Sequence, residues 1–272
     1  MIDLDLHWGI PLVGLTLRDD QVHVWQAALE QPPDVLDCLA QALSPDELTR
    51  AECFHFARDR RRFIVSHGVL RVILGNYLRI DPRQVQFRYS AQGKPYLAEG
   101  MRDDALRFNL AHSHELAVYG FTRGREIGID LEHLRPLTDA EEIVARFFSK
   151  RENAEFRSLP EGLKLEAFYN CWTRKEAYLK ATGDGLGRAL DTFDVSLLPG
   201  APAALLRVDG DRAETTRWSL RTLVPDSEYV AALAAERDDW CVACWEWRAP
   251  GEATVTVAAH PPTERRSGSW ID

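Results

Sequence analysis

Two carboxylates stand two residues apart in Gly128-Ile129-Asp130-Leu131-Glu132. In a strand they share one face, with Ile129 and Leu131 on the other. Neighbouring acids repel unless a cation lies between them, and an all-oxygen donor set suits Mg2+, which binds through a few carboxylates plus phosphate oxygens. A solvent-facing strand edge would show the same alternation. A third acid sits oddly in a helical pattern. From Leu163 to Ala181, helical spacing gathers Leu165, Phe168, Tyr169, Trp172 and Leu179 on one arc, and Glu176 falls inside it. An acid on a buried stripe is costly unless it is paired or binds a metal. Lys180, one turn further on, also allows an ordinary surface Glu–Lys pair worth roughly 0.2–0.5 kcal/mol.

Cations and histidines form the complementary set. Asn109-Leu110-Ala111-His112-Ser113-His114 ends an apolar run with a polar cluster. His-x-His can bind zinc, but further Cys or His partners at useful spacing are missing. Donation from a histidine to a phosphate or a carbonyl is the more economical role. Basic residues crowd Arg50 and Arg58–Arg62, with Lys94 in a later turn, although Arg60-Arg61-Arg62 also reads as the solvated side of a helix. Cys241-Val242-Ala243-Cys244 has redox spacing, yet it lies in an aromatic strand-like run without the helix start that lowers a thiol pKa, and reads as packing.

The elements that must hold these side chains can be traced. Gly14–Ala28 supplies one or two strands, interrupted by Pro32-Pro33. Ser44-Pro45-Asp46-Glu47 is a capping box with Pro in the first turn, and Leu43 can staple to Leu48. A longer helix follows over about Arg60–Leu78. Strands are expected at Val85–Tyr89, Phe108–His112, Leu116–Phe121 and Glu126–Glu132, with a turn at Gln92-Gly93-Lys94-Pro95. Ser149-Lys150-Arg151-Glu152 repeats the capping box 105 residues after Ser44, and at the same offset Phe168 answers Phe63. A second long helix follows, then strands at Phe193–Leu197, Trp218–Leu223, Tyr229–Ala235 and Trp240–Trp247. The pattern points to a duplicated α/β unit, with residues 1–115 as an N-terminal half and 116–248 as a C-terminal half carrying the acids. The Pro-, Gly- and Ser-rich tail 249–272 is expected to be loosely ordered.

Composition bounds the chemistry. With 272 residues, 45% hydrophobic and 28% charged, the chain is an ordinary globular protein, not a disordered or fibrous one. No apolar run approaches the ~18 residues of a membrane span, and Met1–Leu12 carries acids where a secretory leader needs a basic start. Five cysteines do not form a disulfide framework, so a reducing cytoplasm is expected. A net charge of −9 disfavours a general nucleic-acid binder but permits a locally basic pocket for a phosphorylated small molecule.

Ile127–Glu132 (I-G-I-D-L-E) followed by Trp172–Lys180 (W-T-R-K-E-A-Y-L-K) resembles the Sfp-type 4′-phosphopantetheinyl transferases. Their pattern is G-(I/V)-D-(I/L)-E, then W-x-x-K-E-(A/S)-x-x-K some forty residues later. Ser44-Pro45 with Arg50, Gly93-Lys94-Pro95, Asn109–Ser113, Arg146–Ser149 and Gly183–Leu186 add to the match, which runs from about Ser44 to Ala235. The resemblance implies an α/β (α+β) fold of two similar halves related by a pseudo-twofold, with coenzyme A in the cleft between them. It implies transfer of the phosphopantetheine arm to a serine of an apo acyl or peptidyl carrier domain, releasing 3′,5′-ADP. Asp130, Glu132 and Glu176 would hold Mg2+, and Lys180 would contact the pyrophosphate. Arg50 and His112 would bind phosphates of the 3′-phosphoadenosine end, with Lys94 nearby and Arg62 contributing. Glu176 is the candidate base, acting directly or through a water on the metal. Two departures stand out: Glu47 occupies the place of a phosphate-binding lysine in some members, and Ala111 that of a serine. Duplication within one chain would allow a monomer. A metal-dependent nuclease lacks its usual Glu-x-Lys here, which leaves a non-catalytic coenzyme A or carrier binding protein as the alternative.

Overall fold

The computed structural model describes residues 8–10 and 15–249; the tail expected to be loose lies outside them, apart from Ala249. The first half runs β1 (Trp8–Gly9), β2 (Gln21–Ala28), α1 (Pro33–Ala42), α2 (Pro45–Glu52), α3 (Ala57–Leu78), β3 (Phe87–Tyr89), β4 (Pro95–Leu97), β5 (Leu106–Ser113) and β6 (Leu116–Arg123). The second runs β7 (Ile127–His133), α4 (Ala140–Phe147), α5 (Lys150–Ser158), α6 (Glu161–Thr182), β8 (Phe193–Val195), β9 (Leu205–Val208), α7 (Glu214–Arg217), β10 (Trp218–Leu223), β11 (Tyr229–Glu236) and β12 (Cys241–Glu246). Strands β5-β6-β2 form an antiparallel set, and β10-β11-β7 repeat it in the same order. The expected duplication is thus present in both element order and pairing.

Each half rests on the same local device. Ser44 and Ser149 each accept from the backbone of a Glu three residues on, whose carboxylate returns to the cap, so α2 and α5 both start in complete capping boxes. Both glutamates are buried, and each meets a cation from the long helix of its own half. Arg71 Nε lies 2.6 Å from Glu47, and Lys175 Nζ 2.8 Å from Glu152. Glu47 is therefore a structural acid, which accounts for its standing where a phosphate-binding lysine was expected.

Three apolar clusters fill the molecule. One lies between α3 and the first sheet, one around α6, and a third joins Val22, Val24 and Val118 of the first sheet to Ile129, Leu131 and Leu233 of the second. The two sheets therefore face one another, with a long helix on each outer side. Large side chains hold α3 off its sheet, and Tyr119 Oη donates to Ser66 O at 3.0 Å across the gap. On the other side α6 lies almost on the backbone of β7. A Cβ at Gly128 would fall 2.1 Å from Ala177 O and 2.3 Å from Ala181 N. Only glycine permits that approach.

Several expectations need correction. Pro33 opens α1 and does not merely interrupt the chain, because proline suits the first helical turn. The strand expected from Val85 starts at Phe87, after a short 3-10 turn at Pro82–Gln84. β12 does not complete the second half; it runs parallel to β2 in the first sheet. The dividing line at 115/116 falls in the turn of the β5–β6 hairpin, both strands of which belong to the first sheet. Helix α6 is also not one-sided. Leu165 is 37% exposed, while Asn170, Arg174 and Lys175 are buried. Among the described residues no helix is long and apolar enough to cross a membrane.

Candidate functional site

Strand β7 and helix α6 bring the motif acids together. Lys180 Nζ donates to Asp130 Oδ1 at 2.6 Å, while Asp130 Oδ2 is buried without a hydrogen-bond partner. Ser113 Oγ, from the end of β5, donates to Glu132 Oε2 at 3.0 Å and accepts from the backbone N–H of His133 at 3.1 Å. Asn109, also on β5, accepts from Ile129 N at 2.9 Å and ties the free edge of β7 to the first half.

The electrostatics link the acids to one another. Burial pushes the Asp130 carboxyl above the usual carboxylate range, against the pull of Lys180. Glu132 is raised by burial and then by the charge of Asp130, with Ser113 and Lys180 opposing. Glu176, half-buried on α6, is raised by burial and by Asp130 and Glu132, with Lys180 again opposing. Each acid thus feels the others as unwelcome like charges, the condition that a bound cation relieves. Among the described residues, no three acid, histidine or cysteine groups stand close enough to hold a metal ion. The donor set still fits a hard divalent cation: it is all oxygen, mutually repelling, and includes the orphaned Asp130 Oδ2.

Arg50 and Lys180 line neighbouring cavities. Two adjoining cavities, of about 180 and 240 Å3, share Gly93, Pro95, Asn109 and Leu110. Arg50 and His67 line the first, Lys180 and Gly183 the second. Together they form a cleft between the halves. Arg50 lies over the Phe63 ring at 5.4 Å, and His67 stacks on the same ring at 3.9 Å. His112 stands on β5 with an open surface; the walls around the ring, then the charges of Lys180 and Arg62, push its pKa down. Arg62 Nε is buried and unpartnered, with Glu30 and Glu115 at the loose distances of 3.9 and 3.7 Å. Arg50 lines the first cavity, and Arg62 and His112 are not among the residues lining either.

Lys94 does not fit its expected role. Its ammonium donates to Glu126 Oε2 and to the carbonyls of Ile127 and Ala181, which uses every N–H it has. Sequence reasoning also missed His67, Ser113 as a holder of Glu132, and Lys175, whose ammonium is spent on Glu152 and two carbonyls. Lys175 sits inside the W-T-R-K-E motif, so a structural role there was masked by its chemical neighbours. A helical wheel signal for His67 exists only as one more polar residue on a long helix.

The fold and these cavities define a two-half α/β scaffold with an acid cluster beside Lys180 at the junction of the halves. A family model described as the 4′-phosphopantetheinyl transferase superfamily matches residues 126–234, and one described as 4′-phosphopantetheinyl transferase, N-terminal, matches residues 24–120. The 4′-phosphopantetheinyl transferase HetI of Nostoc is 46% identical over 234 residues, covering 86% of this chain and 95% of HetI. The 4′-phosphopantetheinyl transferase Sfp of Bacillus subtilis is 30% identical over 198 residues, covering 73% of this chain and 84% of Sfp. The chain belongs to the 4′-phosphopantetheinyl transferase family.

Proposed function

We propose that the cleft holds coenzyme A across the two halves and that the acid cluster beside Lys180 catalyses delivery of its phosphopantetheine arm to a carrier-domain serine. The observation that carries this reading is the electrostatic coupling of Asp130, Glu132 and Glu176 to one another and to Lys180, which itself lines one of the two cavities. Arg50, Arg62 and His112 would take the phosphates of the nucleotide end, and Lys180 the pyrophosphate. Asp130, Glu132 and Glu176 would hold Mg2+, which when bound neutralises charge on the phosphate oxygens.

The carrier serine Oγ attacks the β-phosphorus, the bond to the leaving 3′,5′-ADP breaks, and the serine proton passes to Glu176. Glu176, half-buried one turn from Lys180 on α6, is the candidate acceptor of that proton. Lys180 would offset charge on the pyrophosphate and on the leaving group. Both walls come from one chain, so the reading includes a monomer working in a cytoplasm that supplies coenzyme A.

Intact mass of an apo carrier domain tests it, after incubation with the protein, coenzyme A and Mg2+. We expect one phosphopantetheine added, lost on chelation with EDTA and in Asp130→Asn. Glu176→Gln should slow the transfer by about 10²–10⁴-fold, the usual worth of a positioned base; a rate near wild type would remove Glu176 from that role. No addition to any of several acyl and peptidyl carriers, with coenzyme A still binding by calorimetry, would leave a non-catalytic binding protein.

A further inference from the structure

Lys94 starts in the turn between β3 and β4 of the first half and ends inside the second. Its Nζ lies 2.9 Å from Glu126 Oε2, 3.1 Å from Ile127 O and 2.9 Å from Ala181 O. The side chain is buried, and the Tyr96 ring lies 5.2 Å beneath the ammonium. Two of the acceptors belong to the elements that carry the acids and the third adjoins them. Ile127 opens β7, Glu126 directly precedes it, and Ala181 lies in the last turn of α6.

Carbonyls in the last turn of a helix have no partner within it, and a cation there is favourable. Lys94 therefore caps α6 from the other half of the molecule. Lys180, whose ammonium meets Asp130, is the residue next to the capped carbonyl. Arg107 of β5 holds the remaining Glu126 oxygen at 3.1 Å, so the first half grips the head of β7 twice.

We propose that Lys94 is a positioning residue. By joining the head of β7 to the last turn of α6, it sets Lys180 against Asp130, and it does not serve as a ligand of the nucleotide. The inference rests on the transferase reading above. A nucleotide contact would require the ammonium to abandon acceptors that already saturate it, leaving two buried carbonyls and a carboxylate without a partner.

The test compares Lys94→Met and Glu126→Gln with wild type in three measurements. These are carrier-modification kinetics at varied coenzyme A, calorimetric coenzyme A binding, and hydrogen exchange of amides 177–182. Lys94→Met should lower kcat by about 10–100-fold, the scale of a 1 Å misplacement. KM and Kd for coenzyme A should stay within about twofold, with faster exchange in the last turn of α6. Glu126→Gln, which keeps Lys94 but weakens its anchor, should show a smaller fall in the same sense, and it carries the test if Lys94→Met does not fold. A tenfold or larger rise in Kd for coenzyme A, with kcat kept at saturation, would make Lys94 a ligand and overturn the proposal. Unchanged kcat and exchange, with only a lower melting temperature, would reduce it to a scaffold residue and overturn it equally. An inactive wild type would defeat the transferase reading instead, and the exchange measurement would still decide the latch.

Discussion

Gly128→Ala is a small change with a large expected consequence. The added Cβ would stand 2.1 Å from Ala177 O, 2.3 Å from Ala181 N and 2.8 Å from Lys180 C, all backbone atoms of α6. Ordinary contact begins near 3.4 Å, so the helix must retreat from β7 by more than ~1 Å or the strand must bend. The retreat takes Lys180 away from Asp130, now 2.6 Å distant, and moves Glu176 with it. Overpacking of this kind costs about 1–3 kcal/mol, a fall in melting temperature of several degrees for a chain this size. Misplacement of catalytic groups by ~1 Å costs about 10²-fold in rate. The assay is phosphopantetheine addition to a carrier domain by intact mass, at a temperature where circular dichroism shows the variant folded. Gly162→Ala is the control: it lies in the first turn of the same helix, where a Cβ meets nothing within 4 Å, and should keep the wild-type rate. A Gly128→Ala protein with wild-type rate and melting temperature would refute the argument that close approach of α6 to β7 sets the site.

Two further outcomes follow from buried charges. Lys175→Met leaves the Glu152 carboxylate, 1% exposed, without its cation and should cost about 3–5 kcal/mol by urea unfolding; a loss under about 1 kcal/mol would contradict the pairing. Burial pushes the His23 pKa from 6.5 down to about 4. Below pH 6.5 the unfolded chain takes up a proton that the folded protein refuses, so stability present above that pH is lost progressively down to about 4. At ~1.4 kcal/mol per pH unit the loss approaches ~3 kcal/mol. Urea midpoints of wild type and His23→Gln across that window should converge as the pH falls, and parallel curves would reject it.

Local signals carried much of the architecture. The capping boxes at Ser44 and Ser149, the two long helices and the strand pairs around them depend on neighbours within a few residues, and each forms where its pattern places it. The strand acids were legible because alternation along Gly128–Glu132 is also local, whereas Glu176 was singled out by an apolar arc that the helix does not have. Long-range choices were not legible. Nothing in Trp240–Trp247 says that it crosses back to pair with β2. The wheel of α6 misled because the helix is enclosed on nearly every side, by β7 and β11 on one and by Glu152, Phe193 and Ser196 on the other. Lys94 misled for the same reason: a lysine beside a phosphate cleft and a lysine spent on the opposite half read alike in one dimension.

The duplication built one scaffold twice and placed the chemistry in it once. Helices α3 and α6 are each 22 residues long and end in left-handed caps, Arg79 and Gly183, 104 residues apart. At that same offset the buried cations Arg71 and Lys175 correspond, one residue short of the 105 that separates the capping boxes, so Phe168 matches Ile64 and not Phe63. The positions of Glu176 and Lys180 are then held in α3 by Val72 and Asn76, which offer neither an acid nor a cation. Large aromatic side chains also keep α3 off its own sheet, whereas α6 touches β7 at Gly128. One half thus brings acids to a strand by close packing, and the other, relieved of that task, carries Arg50, Arg62 and His112. On the function proposed above, a phosphate-rich ligand with cations along its length and a metal at its reacting end would draw on both halves. The site therefore belongs to the seam, and the contacts that fix the seam, Asn109 to Ile129 and Lys94 to Ala181, are where changes outside the cleft should reach the reaction.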